Sequence, residues 1–313
     1  MNKSDLESAY CYEMVDFVSG DSETTAFKRR ARLQQARWRE SRGFPIGTQP
    51  IRPMLGEEAR RLGSRIDIAS VKKGHNFLTD QIHDVANRRV LDAEPLEMLN
   101  SDRLFCDLLS SMPMCFNLFG TLAGDLELAD RAVHAWWPNV PGRVIRVMFE
   151  WSPMRRKPGR FLENGSALDV AFELDLGGGK KGILGVETKY HEHCKREKPT
   201  QSAREQRYRK ITEDSQAFVP GAADHFLKSD LQQIWQDHLL ALSLPLDESG
   251  TWSWAAFSLV YSSANPSFRR VGELYRPWLR DEASFLTTTI EQMLDANVLP
   301  ADINHGLRER YLW

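Results

Sequence analysis

The chain has 313 residues, enough for one large or two modest domains and for a sizeable core. Its 41 lysines and arginines nearly balance 43 aspartates and glutamates, so a polyanionic partner would have to be met by local basic patches and not by overall charge. No apolar run approaches the roughly 18 residues of a membrane span, the opening Met-Asn-Lys-Ser-Asp-Leu-Glu has no apolar signal region, and Cys11, Cys106, Cys115 and Cys194 show no paired spacing. These features point to a reducing cytoplasm, without membrane contact or a disulfide framework.

In chain order, Phe27 to Arg42 combines good helix formers with a single acid, which predicts a strongly basic helix stopped by Gly43 and Pro45. Such a helix is either a solvated face or an arm tracking phosphate, with Arg29, Arg30, Arg37 and Arg39 as contacts and Trp38 for packing or stacking. Pro45 to Pro53 reads as a turn-rich connector, and Glu57 to Arg65 and Asn76 to Leu91 as helices. Glu94 to Ala123 reads as a helix that becomes nearly all apolar, interrupted near Pro113 and buried under a sheet. Arg131 to Trp137 is a further short helix, and Val144 to Trp151 a strand with Glu150 near its end.

From Leu168 to Leu176 the even positions are apolar and the odd ones mostly charged, the period of a half-buried strand. Gly177, Gly178 and Gly179 supply the positive φ a reversal needs. The alternation then resumes with the same parity: Leu184, Val186 and Tyr190 are apolar, whereas Glu187, Lys189 and His191 are not. Keeping apolar opposite apolar requires paired residue numbers with an even sum, so registers centred on Gly178 or Gly179 set Asp169 opposite Glu187 or Lys189. Two carboxylates and an ammonium on one side of a sheet are costly unless a cation or the lysine lies between the acids. A hard divalent ion with oxygen ligands, Mg2+ or Mn2+, suits them. The plainer reading is a solvated hairpin face, with Glu187 and Lys189 a surface pair worth under about 1 kcal/mol.

Downstream, Pro199 to Phe218 reads as a second basic helix with Arg204, Arg207, Arg209 and Lys210, and with Tyr208 and Gln201 or Gln206 nearby. Ser229 to Leu244 is an amphipathic helix begun by Ser229 or Asp230 and stopped by Pro245. Trp252 to Tyr261 is a strand, and Phe285 to Leu294 the core of a closing helix. His191, His193 and Cys194 invite a zinc reading, but no second cluster stands at structural-zinc spacing. Gly177-Gly178-Gly179-Lys180 joins two strands and lacks the spacing of a phosphate-binding loop.

Asp169 early in one strand, then Glu187-Thr188-Lys189 in the next strand of a hairpin, resembles the active-site signature of the PD-(D/E)XK nuclease superfamily. Leu168 stands where the superfamily's name puts proline. Lys189-Tyr190-His191-Glu192 is similar to the Lys-Tyr-Thr-Glu tail of some bacterial restriction-endonuclease-like members, and the element order agrees over roughly Leu99 to Tyr261. The resemblance implies an α/β (α+β) fold, a mixed sheet of about four strands flanked by helices. It divides the chain into a basic helical region over 1–95, a nuclease-like core over 96–265 and a helical extension over 266–313.

The resemblance further implies a restriction-type endonuclease that hydrolyses DNA with Mg2+, or with Mn2+. Asp169, Glu187 and the Thr188 carbonyl would hold the ion, and Lys189 would orient the attacking water or stabilise phosphoryl charge. Glu150 is the candidate for an additional acid. Arg29, Arg30, Arg37, Arg39, Arg204, Arg207 and Lys210 would contact the nucleic acid, and cleavage of both strands would favour a homodimer. Two other readings keep the fold: an inactive nucleic-acid-binding protein, and a nuclease subunit of a repair or anti-phage complex. The intact acids and lysine favour the enzyme.

Overall fold

The structure is a computed structural model, described for residues 3–11, 22–49, 59–93, 97, 99–154, 160–195 and 202–313. Glu57, Glu94, Pro199, Gln201 and the end of the connector expected up to Pro53 lie outside these residues. The basic helix α1 (Glu23–Ser41) starts at Ser22, whose side chain accepts the Thr25 N–H. After it, β1 (Ile46–Thr48) and β2 (Arg61–Ile66) pair antiparallel. The helix expected over Glu57 to Arg65 is thus replaced by a strand in its described part. Local propensity favoured helix, but Gly63 packs so tightly on the Ala9 carbonyl and on Ala36 of α1 that no side chain would fit there.

Helix α2 (Asp80–Leu91) is capped by Thr79. The single helix expected through Ala123 is two, α3 (Ser101–Cys106) and α4 (Ser111–Phe119). The break falls at Asp107 and Ser110, whose side chains accept the N–H groups of Leu109 and Met112. Pro113 causes no interruption because it sits in the first turn of α4, where no intrahelical N–H bond is lost. Helix α5 (Leu126–Trp136) begins five residues before the expected Arg131 because Asp125 caps it.

Five strands then build the main sheet in the order β3 (Arg143–Trp151), β4 (Leu168–Asp175), β5 (Lys181–Lys189), β6 (Trp252–Tyr261) and β7 (Phe285–Thr289). The first three are antiparallel neighbours, and β5, β6 and β7 run parallel. Between β5 and β6 come α6 (Ser202–Asp214) and α7 (Gln232–Leu242). The closing helix expected from Phe285 is β7 followed by α8 (Ile290–Asp295), and α9 (Ala301–Tyr311) comes last. Three successive threonines, Thr287 to Thr289, favour strand, and Thr289 with Gln292 then forms a capping box that opens α8.

Both connections between parallel strands pack on one face of the sheet, the helices before β3 and after β7 cover the other, and between them they bury most of the two hairpin strands. Val170, Phe172, Leu174, Leu184 and Val186 pack into one core with α1, α2, α4, α5, α8 and α9. Ala171 and Ile183 pack into another with α6 and α7. The strands expected to be half-buried are therefore buried on both faces. Their turn is as expected: Gly177, Gly178 and Gly179 all have positive φ, a run that side-chain-bearing residues would resist. Among the described residues no helix is long and apolar enough to cross a membrane.

Candidate active site

The hairpin register runs from Asp175↔Lys181 to Val170↔Val186, so one further step sets Asp169 opposite Glu187. Asp169 is held by Thr188: its Oδ2 accepts the backbone N–H at 2.8 Å and the hydroxyl at 2.6 Å. Glu187 and Lys189 share the next stretch of the same face, 7 % and 6 % exposed, with Lys189 Nζ 2.7 Å from Glu187 Oε1. The surface-pair reading fails, because this pair is buried. Removing one partner from a buried pair costs about 3–5 kcal/mol, most of it the stranded charge.

Further acids surround the pair. Asp237 of α7 is 4 % exposed, on the helix that covers this face. Glu192 lies three residues past the strand and fixes the loop to α4: its carboxylate accepts the N–H and hydroxyl of Ser111 at 3.2 and 2.8 Å and the Tyr190 N–H at 2.9 Å. Asn265 donates to the carbonyls of Tyr190 and Glu192 from the other side. Glu150 falls between the ladder pairs Phe149↔Val170 and Trp151↔Leu168, hence across from Asp169. Its φ of +48° is unusual for a residue with a side chain, and Arg89 donates to its carbonyl at 3.0 Å.

Burial raises the pKa of Asp169, against the pull of Lys189 and the Thr188 hydrogen bonds. Burial also raises Glu187 well above the usual range, and the Asp169 charge adds to it. Burial alone would lower the Lys189 ammonium, but Glu187, Asp237, Glu192 and Asp169 outweigh it and raise its pKa. The thiol of Cys115, buried in α4, is likewise pushed up by burial and then by Asp169, Glu150 and Glu187. One lysine thus faces an excess of carboxylate in a poorly solvated place.

Among the described residues no group of three His, Cys, Asp or Glu side chains converges as a ligand set. Mg2+ does not require one, since one or two carboxylates suffice when waters and substrate phosphate complete its shell. Asp169 and Glu187, opposed across the hairpin and short of positive charge, fit such an ion, with the Thr188 carbonyl next to Glu187 in sequence. The zinc candidates point elsewhere: His193 Nδ1 lies 2.8 Å from Lys28 Nζ, and the Cys194 thiol donates to Ser267 O at 3.5 Å.

A family profile matches residues 21–313 and describes the PD-(D/E)XK nuclease superfamily. The chain belongs to that superfamily. Its members are generally nucleases and typically use divalent metal ions. Searches of curated proteins and of solved structures returned no match.

Within this superfamily member the basic residues divide by use. Helix α1 packs on the face opposite Glu187 and Lys189, through Phe27, Ala31 and a Gln35 bond to the Tyr190 hydroxyl. It reaches the segment that follows β5 through Lys28, whose ammonium lies beside His193. Arg30 and Arg37 are exposed and Arg29 is half-buried. Arg39 donates to the carbonyls of Gly63 and Phe44. On α6, which lies on the Glu187 face, Arg204 is exposed, Arg207 donates to Phe161 O at 2.6 Å, and Lys210 pairs with Asp214 at 2.8 Å. Sequence reasoning missed Asp237, Asn265 and Lys28 as neighbours of the site, and named Glu192 only as part of the tail that follows Lys189. Asp237 did leave a signal, an acid on the apolar stripe between Ile234 and Ala241.

Proposed function

We propose that the protein is a Mg2+-dependent endonuclease of restriction type, hydrolysing phosphodiester bonds of DNA. The observation that carries this reading is the grouping of Asp169, Glu187 and Lys189 on one face of the hairpin, in a chain of this superfamily. Asp169, Glu187 and the Thr188 carbonyl would hold the ion, and Mn2+ would serve in its place. When bound, the ion supplies positive charge at the scissile phosphate and makes the attacking water more acidic.

The chain's own residues do the positioning. Thr188 fixes Asp169 through two hydrogen bonds, and Glu187 fixes the Lys189 ammonium. Lys189 stays charged because its carboxylate neighbours outweigh burial. It can therefore orient the water or stabilise charge on the phosphoryl oxygens without first gaining a proton. Glu150, across from Asp169, is the additional acid of this reading. Tyr190 is buried, turned to the opposite face and bound by Gln35, so it serves the scaffold. Cutting both strands of a duplex favours two copies of the site, and the reading includes a homodimer.

Plasmid DNA tests it. Mg2+ or Mn2+ should support nicking or linearisation, excess chelator should stop it, and Ca2+ should allow binding without efficient turnover. Undiminished cleavage in chelator would overturn the proposal.

A further inference from the structure

The carboxyl ends of β6 and β7 open into a cleft of about 450 Å3 that includes Ser262, Ser263, Glu291, Arg308, Tyr311 and Trp313. That is within the usual range of ligand sites. Its place follows from register: Lys189 of β5 pairs with Tyr261 of β6, and Ser262 is the next residue. The cleft therefore begins one residue and one strand spacing, about 5 Å, from the backbone of the proposed catalytic lysine, on the face of the sheet that Tyr190 occupies and the Lys189 side chain does not. Tyr190 stands beside it, its ring centroid 6.5 Å from that of Trp313.

Three groups give the cleft its chemistry. Trp313 is 37 % exposed and is backed by Phe27, with ring centroids 5.6 Å apart. Arg30 is exposed and holds its guanidinium 6.0 Å from the Trp313 ring. Glu291 presents a carboxylate fixed by the Ser262 hydroxyl at 3.2 Å and the Ser263 N–H at 3.0 Å. Arg308 forms part of the wall and is engaged with Asn304 and Asp295. A ligand matching this set is planar with a π-face for Trp313, carries N–H donors for a carboxylate, and is joined to a phosphate that Arg30 can meet.

A nucleotide is such a ligand. We propose that the cleft receives an unpaired base of the substrate strand, stacked on Trp313. A base with an exocyclic amino group is preferred, because that group donates to Glu291. This rests on the nuclease reading above and adds to it a site for single-stranded or locally unpaired nucleic acid.

Binding of short fluorescent single strands to the full chain in chelator, followed by anisotropy, tests it without cleavage. The parent protein should bind oligo(dC) more tightly than oligo(dT), and either more tightly than an abasic strand of equal length. Trp313→Ala should weaken oligo(dC) about ten-fold while leaving the abasic strand nearly unchanged, and Trp313→Phe should keep most of the affinity. Glu291→Gln should narrow the dC over dT preference, a readout that a purely structural role would not move. If Trp313→Ala melts like the parent and binds all three strands as the parent does, the inference is wrong. It is equally wrong if the parent cuts plasmid yet binds base-bearing and abasic strands alike. A parent that neither cuts nor binds removes the nuclease reading, and this inference with it.

Discussion

Asp169 and Lys189 sit in the same buried neighbourhood but respond oppositely to removal of charge. The Lys189 ammonium balances several carboxylates, so Lys189→Met should abolish cleavage and lower stability by about 3 kcal/mol. DNA affinity should stay within a few-fold, since one charge among many phosphate contacts changes little. If the Met variant cleaves like the parent, the lysine is structural. Asp169 has its pKa raised by burial, so its proton is held more tightly in the folded state than in the unfolded one. That stabilisation is complete below the unfolded carboxyl pKa of about 3.9 and is lost as pH rises through the folded value. Asp169→Asn keeps an acceptor for both Thr188 bonds and removes the charge. The variant should therefore be inactive yet melt higher than the parent at pH 7, with the two converging near pH 4. A lower melting point at pH 7 would contradict the electrostatic account. That Asp169 faces Glu187 or Lys189 was legible in the sequence, because strand parity and a glycine turn limit register by local rules, and the register of the structure selects Glu187. Asp237 was not placed at the site, because only the packing of α7 on the sheet brings it to the lysine, whereas Glu192 stood in the Lys189-Tyr190-His191-Glu192 tail without its contacts to α4 being readable.

Glu192 ties the strand carrying the proposed site to α4, and its role belongs to elements more than to chemistry. Its carboxylate takes two donors at the first residue of α4 and one from Tyr190, at the end of a helix that favours negative charge. Glu192→Ala leaves those donors without that acceptor and should cost about 1–3 kcal/mol, read as a lower denaturant midpoint. Cleavage should fall as well, because the Tyr190 to Glu192 loop follows Lys189 directly. An unchanged midpoint would show that water or a neighbour replaces the carboxylate. Elements also show where pattern reading failed. β6 spans Trp252–Tyr261 as expected, a short, nearly continuous apolar and aromatic run of the kind that a strand buried on both faces requires. β7 was hidden because five strand residues run without a turn into α8, and hydrophobicity alone does not separate them. The Thr289 and Gln292 capping box marks that boundary in the sequence. In the same way, Asp107 and Ser110 mark the end of α3 and the start of α4 better than Pro113 does.

At the scale of the molecule, one hydrophobic core runs from Phe27 to Tyr311 and joins both ends of the chain to the sheet. Buried Arg310 reinforces it, donating to Gln35 and to both the carbonyl and side chain of Asn76, while Gln35 reaches the Tyr190 hydroxyl beside Lys189. That network was illegible in the sequence, since nothing local sets an arginine of the last helix against α1. It also explains why a basic helix need not be an arm: the inner side of α1 is built into the core, and only part of its charge faces outward. The arginines of α1 should consequently separate into two classes. Replacing Arg29, Arg30 and Arg37 together with glutamine should weaken DNA binding and flatten its salt dependence by about 0.9 in slope for each phosphate no longer neutralised. Any sequence preference should survive, because phosphate contacts position a complex and do not specify it. Arg39→Gln should instead lower the melting temperature, since its guanidinium closes the Gly63 and Phe44 carbonyls, and should leave the salt slope of the folded protein unchanged. Titrating affinity against salt for the parent and both variants decides between the uses. An unaltered slope in the triple variant would remove α1 from the nucleic-acid surface while leaving the Asp169, Glu187 and Lys189 assignment intact.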